Sequence, residues 1–100
     1  MRWLNQSCRA SERARGPGTV RIKVPVLLLQ GGRDVKVKPA AQAQFCKQLN
    51  ESPGPGYCVG RTLPGAEHAM LIESDEFRVP ALASALRFFD CVAAGTLRCK

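Results

Sequence analysis

The sequence predicts a small α/β fold organised around one parallel βαβ unit. Residues 26–29 (Val-Leu-Leu-Leu) form a continuous apolar run of strand length. A run without polar alternation suits a strand covered on both faces, as in parallel sheets. Residues 57–63 (YCVGRTL) form a second strand-length segment, and residues 40–50 between them place Ala41, Phe45, Cys46 and Leu49 at helical spacing. A strand, a helix and a strand in that order cross over right-handed and leave the two strands parallel.

The remaining elements follow in chain order. Residues 3–15 (WLNQSCRASERAR) are polar with apolar points at Trp3, Leu4, Cys8 and Ala10, and read as a short helix. Gly16-Pro17-Gly18 breaks it, and the alternation at 20–23 (Val, Arg, Ile, Lys) reads as an extended lead-in. Pro25 has no N–H for a ladder, so the first strand begins near it and ends at Gly31-Gly32. Pro39 suits the first turn of the helix that follows. Residues 52–56 (SPGPG) are a loop, and Pro64-Gly65 closes the second strand. Ser74, Asp75 and Glu76 supply cap-type and acidic residues before a last helix, in which Leu82, Leu86, Phe89 and Ala93 form one apolar stripe. Pro80 belongs near the start of that helix or in a kink, because a proline in a helix interior costs about 3 kcal/mol. The tail from 94 to 100 reads as frayed. The order is helix, strand, helix, strand, helix.

Composition narrows the function classes. The chain has 100 residues, enough for one small domain, and a 45% hydrophobic content ordinary for a globular protein. Its net charge of +7 is concentrated in residues 1–38, with nine Lys/Arg against Glu12 and Asp34; residues 39–100 carry six of each sign. A basic stretch of this kind attracts nucleic acid or anionic lipid. Apart from Trp3 no aromatic residue interleaves with the charges to stack on bases, so a solvated segment is expected and nucleic acid is not. The five cysteines (Cys8, Cys46, Cys58, Cys91, Cys99) contain no C-x-x-C pair and accompany one histidine, so neither a zinc site nor a cofactor is expected. They read as reduced structural thiols. No run approaches the roughly 18 apolar residues of a membrane span. The expected location is cytoplasmic or peripherally membrane-associated.

The chemistry gathers at one sheet edge. Loops 31–38 and 64–73 both leave the carboxyl ends of the two strands, where open α/β sheets build their sites. Asp34 lies in the first loop and His68 in the second. An acid and a histidine so placed are two members of a Ser-His-Asp triad. In such a triad the carboxylate holds the imidazole in one tautomer, and the imidazole takes the serine proton. In α/β-hydrolases the chain order is serine, acid, histidine.

The segment VPVLLLQGGRDVKV resembles the penultimate-strand motif of the lysophospholipase and monoacylglycerol lipase branch of the α/β-hydrolases, also typed as serine-aminopeptidase-like. In that branch a Leu-rich strand runs into Gln-Gly-x-x-Asp, and the matching acid is Asp34, reached through Gln30, Gly31, Gly32 and Arg33. LPGAEHAMLIE resembles the branch's histidine loop, with His68 as the matching base after Gly65, Ala66 and Glu67. The closing LRFFD (86–90) and the opening WLNQSCRASERA resemble the last helix and the helix leading out of the lid. The similarity covers roughly residues 3–90. It implies the C-terminal part of an α/β-hydrolase fold: the end of a lid or connecting helix over 1–18, the hydrolase segment over 19–93 and a tail over 94–100. The implied reaction, in a complete parent, is hydrolysis of a lipid carboxylic ester.

The sequence departs from the family at the nucleophile. It contains no Gly-x-Ser-x-Gly, and none of Ser7, Ser11, Ser52, Ser74 or Ser84 follows a strand-Gly-x pattern. A truncated serine hydrolase, inactive alone, is therefore expected. Its partners would be the parent's lipid ester substrate and, secondarily, an anionic membrane surface. The alternative is a small basic module that binds nucleic acid or anionic membrane through residues 1–38. A third possibility is a non-catalytic remnant that pairs with a separate N-terminal half.

Overall fold

Two strands, β1 (Pro25–Gly31) and β2 (Tyr57–Leu63), pair in parallel, in register from Pro25 opposite Tyr57 to Gly31 opposite Leu63. The structure is a computed structural model that describes residues 2–15 and 22–100. The Gly16-Pro17-Gly18 break and the first half of the 20–23 lead-in lie outside the described residues, and Ile22 and Lys23 are irregular. Around the sheet stand α1 (Arg2–Arg15), α2 (Pro39–Glu51) and α3 (Asp75–Ala93), with a single 3-10 turn at Met70–Ile72. The chain is thus mixed α/β, with the expected element order.

The period-two alternation of the strands sends their side chains to two helices. Leu27, Leu29, Val59 and Leu63 face α3. There they join two clusters, one of Tyr57, Phe88 and Cys99 and one of Ala66, Met70 and Ala81. The even-numbered positions face α2, where Cys46 bonds to Cys58. Helix α2 starts with Pro39 in its first turn and ends at Ser52, whose N–H and hydroxyl both donate to the Leu49 carbonyl. Leu49 is fully buried, worth about 1.5–3 kcal/mol for a side chain of its size. The Asn50 side chain clasps β2 by donating to the Cys58 carbonyl (3.0 Å) and accepting from the Cys58 N–H (2.8 Å).

Two expectations need correction, and one stripe gains a direction. The stripe of Leu82, Leu86, Phe89 and Ala93 is the outer face of α3: Leu86 and Phe89 are 61% and 63% exposed, while Ala81 and Phe88 are buried. The helix is apolar on two sides, and periodicity alone does not say which side meets the sheet. The tail is not frayed. Past a left-handed Gly95 (φ 74°) it folds back so that Cys99 is buried and its N–H donates to the Tyr57 hydroxyl at 2.9 Å. Arg98 stacks over the Tyr57 ring. Finally, four cysteines are paired rather than reduced: Cys46 with Cys58 and Cys91 with Cys99, at Cα separations of 5.0 and 6.0 Å, leaving Cys8 free. Packing of α2 on β2 and the return of the tail bring together residues that no sequence motif links. Disulfides persist in oxidising surroundings. The pairings therefore remove the reduced-thiol argument for a cytoplasmic location.

Pro80 sits in the second turn of α3, and the helix continues through it. Among the described residues no helix is long and apolar enough to cross a membrane.

Candidate functional site

The carboxyl ends of the strands continue into loops that stay laced together. Beyond the ladder, the Gly32 N–H donates to the Leu63 carbonyl (2.9 Å) and the Arg33 N–H to the Ala66 carbonyl (2.8 Å). This approach requires Gly31: a Cβ there would lie 2.6 Å from the Ala66 carbonyl oxygen and against that of Glu67. Gly65, at φ 80°, supplies the left-handed residue that turns the chain after Pro64. The Glu67 N–H is held by the Glu73 carboxylate at 3.1 and 3.2 Å, which fastens the loop just before His68.

Asp34 and His68 meet. Asp34 Oδ2 lies 2.9 Å from His68 Nδ1 across 34 residues of sequence. The Asp34 side chain is 3% exposed and that of His68 51%. The carboxylate's other oxygen, Oδ1, accepts the backbone N–H groups of Lys36 (2.7 Å) and Val37 (3.1 Å). The Gln30 amide Nε2 approaches Oδ2 at 3.4 Å. The hydrogen bond from His68 draws the Asp34 pKa below its ordinary value near 3.8; burial opposes this, and the Val37 and Lys36 N–H groups reinforce it. An ionised carboxylate only accepts hydrogen bonds, so the neutral imidazole facing it carries its proton on Nδ1. That leaves the Nε2 lone pair free to take a proton, as a general base must.

The pair lies in the wall of an open cavity of about 800 Å³, whose rim includes Arg33, Lys36, Glu67 and Glu73. Arg33 and Glu67 are exposed. A second, apolar groove of about 300 Å³ runs beside His68 between Leu29 and the Met70–Ile72 turn. None of the five serines lines either cavity. Trp3 is exposed. Among the described residues no cluster of three His, Cys, Asp or Glu side chains could hold a metal ion.

Sequence reasoning missed two supporting residues. Gln30 and Glu73 were visible only as members of the motifs around Asp34 and His68. The available signal for Gln30 is a polar residue closing an apolar strand; for Glu73 there is none beyond proximity. Comparison with protein-family models, with curated proteins and with solved structures finds no match for the chain.

Proposed function

We propose that this chain carries the acid–base half of a serine-hydrolase centre, in the C-terminal part of an α/β-hydrolase fold of the lysophospholipase and monoacylglycerol lipase type. Asp34 orients His68, and His68 accepts the proton of a serine that this chain does not supply. The observation that carries the reading is the 2.9 Å contact between a buried carboxylate and the Nδ1 of a half-exposed imidazole, made by two adjacent loops at the carboxyl edge of a parallel sheet. The apolar groove beside His68 supports an ester with a hydrocarbon chain as substrate. Covalent catalysis and an oxyanion hole are the larger sources of rate in such centres. The chain alone therefore has negligible esterase activity, and short-chain ester turnover that vanished in His68→Ala would contradict this.

The decisive experiment is co-expression with a segment of that branch bearing Gly-x-Ser-x-Gly on a strand-to-helix turn, followed by fluorophosphonate labelling. Labelling that depends on both Asp34 and His68 supports the reading. A reconstituted complex labelled equally in Asp34→Asn and His68→Ala refutes it.

A second reading, a binder of anionic membrane or nucleic acid built on residues 1–38, rests on α1. Its Arg2, Arg9 and Arg13 recur at helical spacing on one face and are exposed. It requires binding that weakens steeply with salt. Absent or salt-insensitive binding in a titration at two salt concentrations dismisses it.

A further inference from the structure

Among the described residues Gln30 is the one polar residue buried as a whole, 6% exposed near the end of β1 after three consecutive leucines. One end of its amide meets two acceptors, the Gly31 carbonyl at 3.0 Å and Asp34 Oδ2 at 3.4 Å. Since both only accept, that end must be the NH₂ group. The other end, Oε1, is buried without a partner. Leaving an amide oxygen unpaired in the interior is unfavourable, whereas an apolar side chain of the same shape would leave nothing unsatisfied. Gln30 is thus a poor choice for packing and a good one for holding a carboxylate.

From this geometry we infer that Gln30 is a positioning residue, whose amide fixes Asp34 Oδ2 in the orientation that accepts the hydrogen bond from His68 Nδ1–H. The inference rests on the acid–base reading of Asp34 and His68. Two backbone N–H groups pin Oδ1, and they leave the carboxylate free to tilt about that anchor. The Gln30 donor approaches Oδ2 from the strand side and limits the tilt. Gln30 acts through Asp34 and does not face the cavity around His68.

The test uses the whole chain, whose single histidine gives one set of imidazole signals. Nitrogen-15 NMR at a pH where the ring is neutral reports the ratio of the Nδ1–H to the Nε2–H tautomer. The wild type should favour Nδ1–H. Gln30→Met keeps the length and apolar fit of the side chain, and Gln30→Asn keeps an amide that cannot reach Oδ2. Each should shift the ratio several-fold toward Nε2–H, while Asp34→Asn removes the Nδ1–H preference altogether. A structural role alone would lower the unfolding midpoint of the Gln30 variants and leave the tautomer ratio of their folded fraction unchanged, which overturns the proposal with the acid–base reading intact. An unchanged ratio in Asp34→Asn would instead sink that reading itself.

Discussion

The two ends of the sheet are held by different means. At the amino end, Tyr57, Phe88 and Cys99 form a buried cluster, the Tyr57 hydroxyl receives the Cys99 N–H, and disulfides tie α2 to β2 and the tail to α3. At the carboxyl end no covalent link is present among the described residues. Backbone hydrogen bonds join the two loops, and a carboxylate with four polar neighbours joins one loop to a half-exposed imidazole. The amino end is built for permanence. The carboxyl end keeps its polar groups oriented without sealing them from solvent, which the proposed proton transfer would require.

Substitutions can separate the two ends. The largest effect is expected at Gly31, where Gly31→Ala drives a methyl group into the Ala66 and Glu67 carbonyls. Urea denaturation should show a loss of about 3 kcal/mol, and NMR should show the Asp34–His68 contact broken. Removing the tail staple with C91A/C99A should cost about 2–3 kcal/mol while leaving the His68 signals in place. If those signals move, the two ends are coupled and the division fails. Tyr57→Phe withdraws only the acceptor for the Cys99 N–H and should cost about 1 kcal/mol in the same assay. The smallest effect belongs to acid. The folded-state pKa of Asp34 lies below its ordinary 3.8, so its contribution to stability is complete above that value. It fades as the pH falls through the lower, folded-state value. Asp34→Asn should flatten this part of the stability profile, and an unchanged slope would show that the carboxylate is not held as described.

Much of this division was legible in the sequence at one end and almost none of it at the other. Local signals mark the carboxyl end: a Leu run stopped by Gly31-Gly32, a Pro64-Gly65 turn, and a helical segment between strands that forces parallel pairing. Together they place Asp34 and His68 at one edge on the strength of the sequence. The amino end depends on packing. Nothing near Cys46 in sequence points to Cys58, and the return of the tail depends on Tyr57 offering a hydroxyl 42 residues away. The facing of the α3 stripe was illegible for a related reason. Leu82, Leu86 and Phe89 are as apolar as the face that is buried, and only the sheet's position chooses between them. Gln30 escaped notice because its role depends on where a neighbour's oxygen points.

The parallel register also sets when the pair can appear during refolding. Asp34 and His68 touch only once the whole crossover has closed, since α2 and β2 occupy the chain between them. Contacts this far apart in sequence bear the entropy of a long closed loop and tend to form after local helix. The lone imidazole is therefore a built-in timer: its change of environment after dilution from denaturant marks the moment at which the crossover locks.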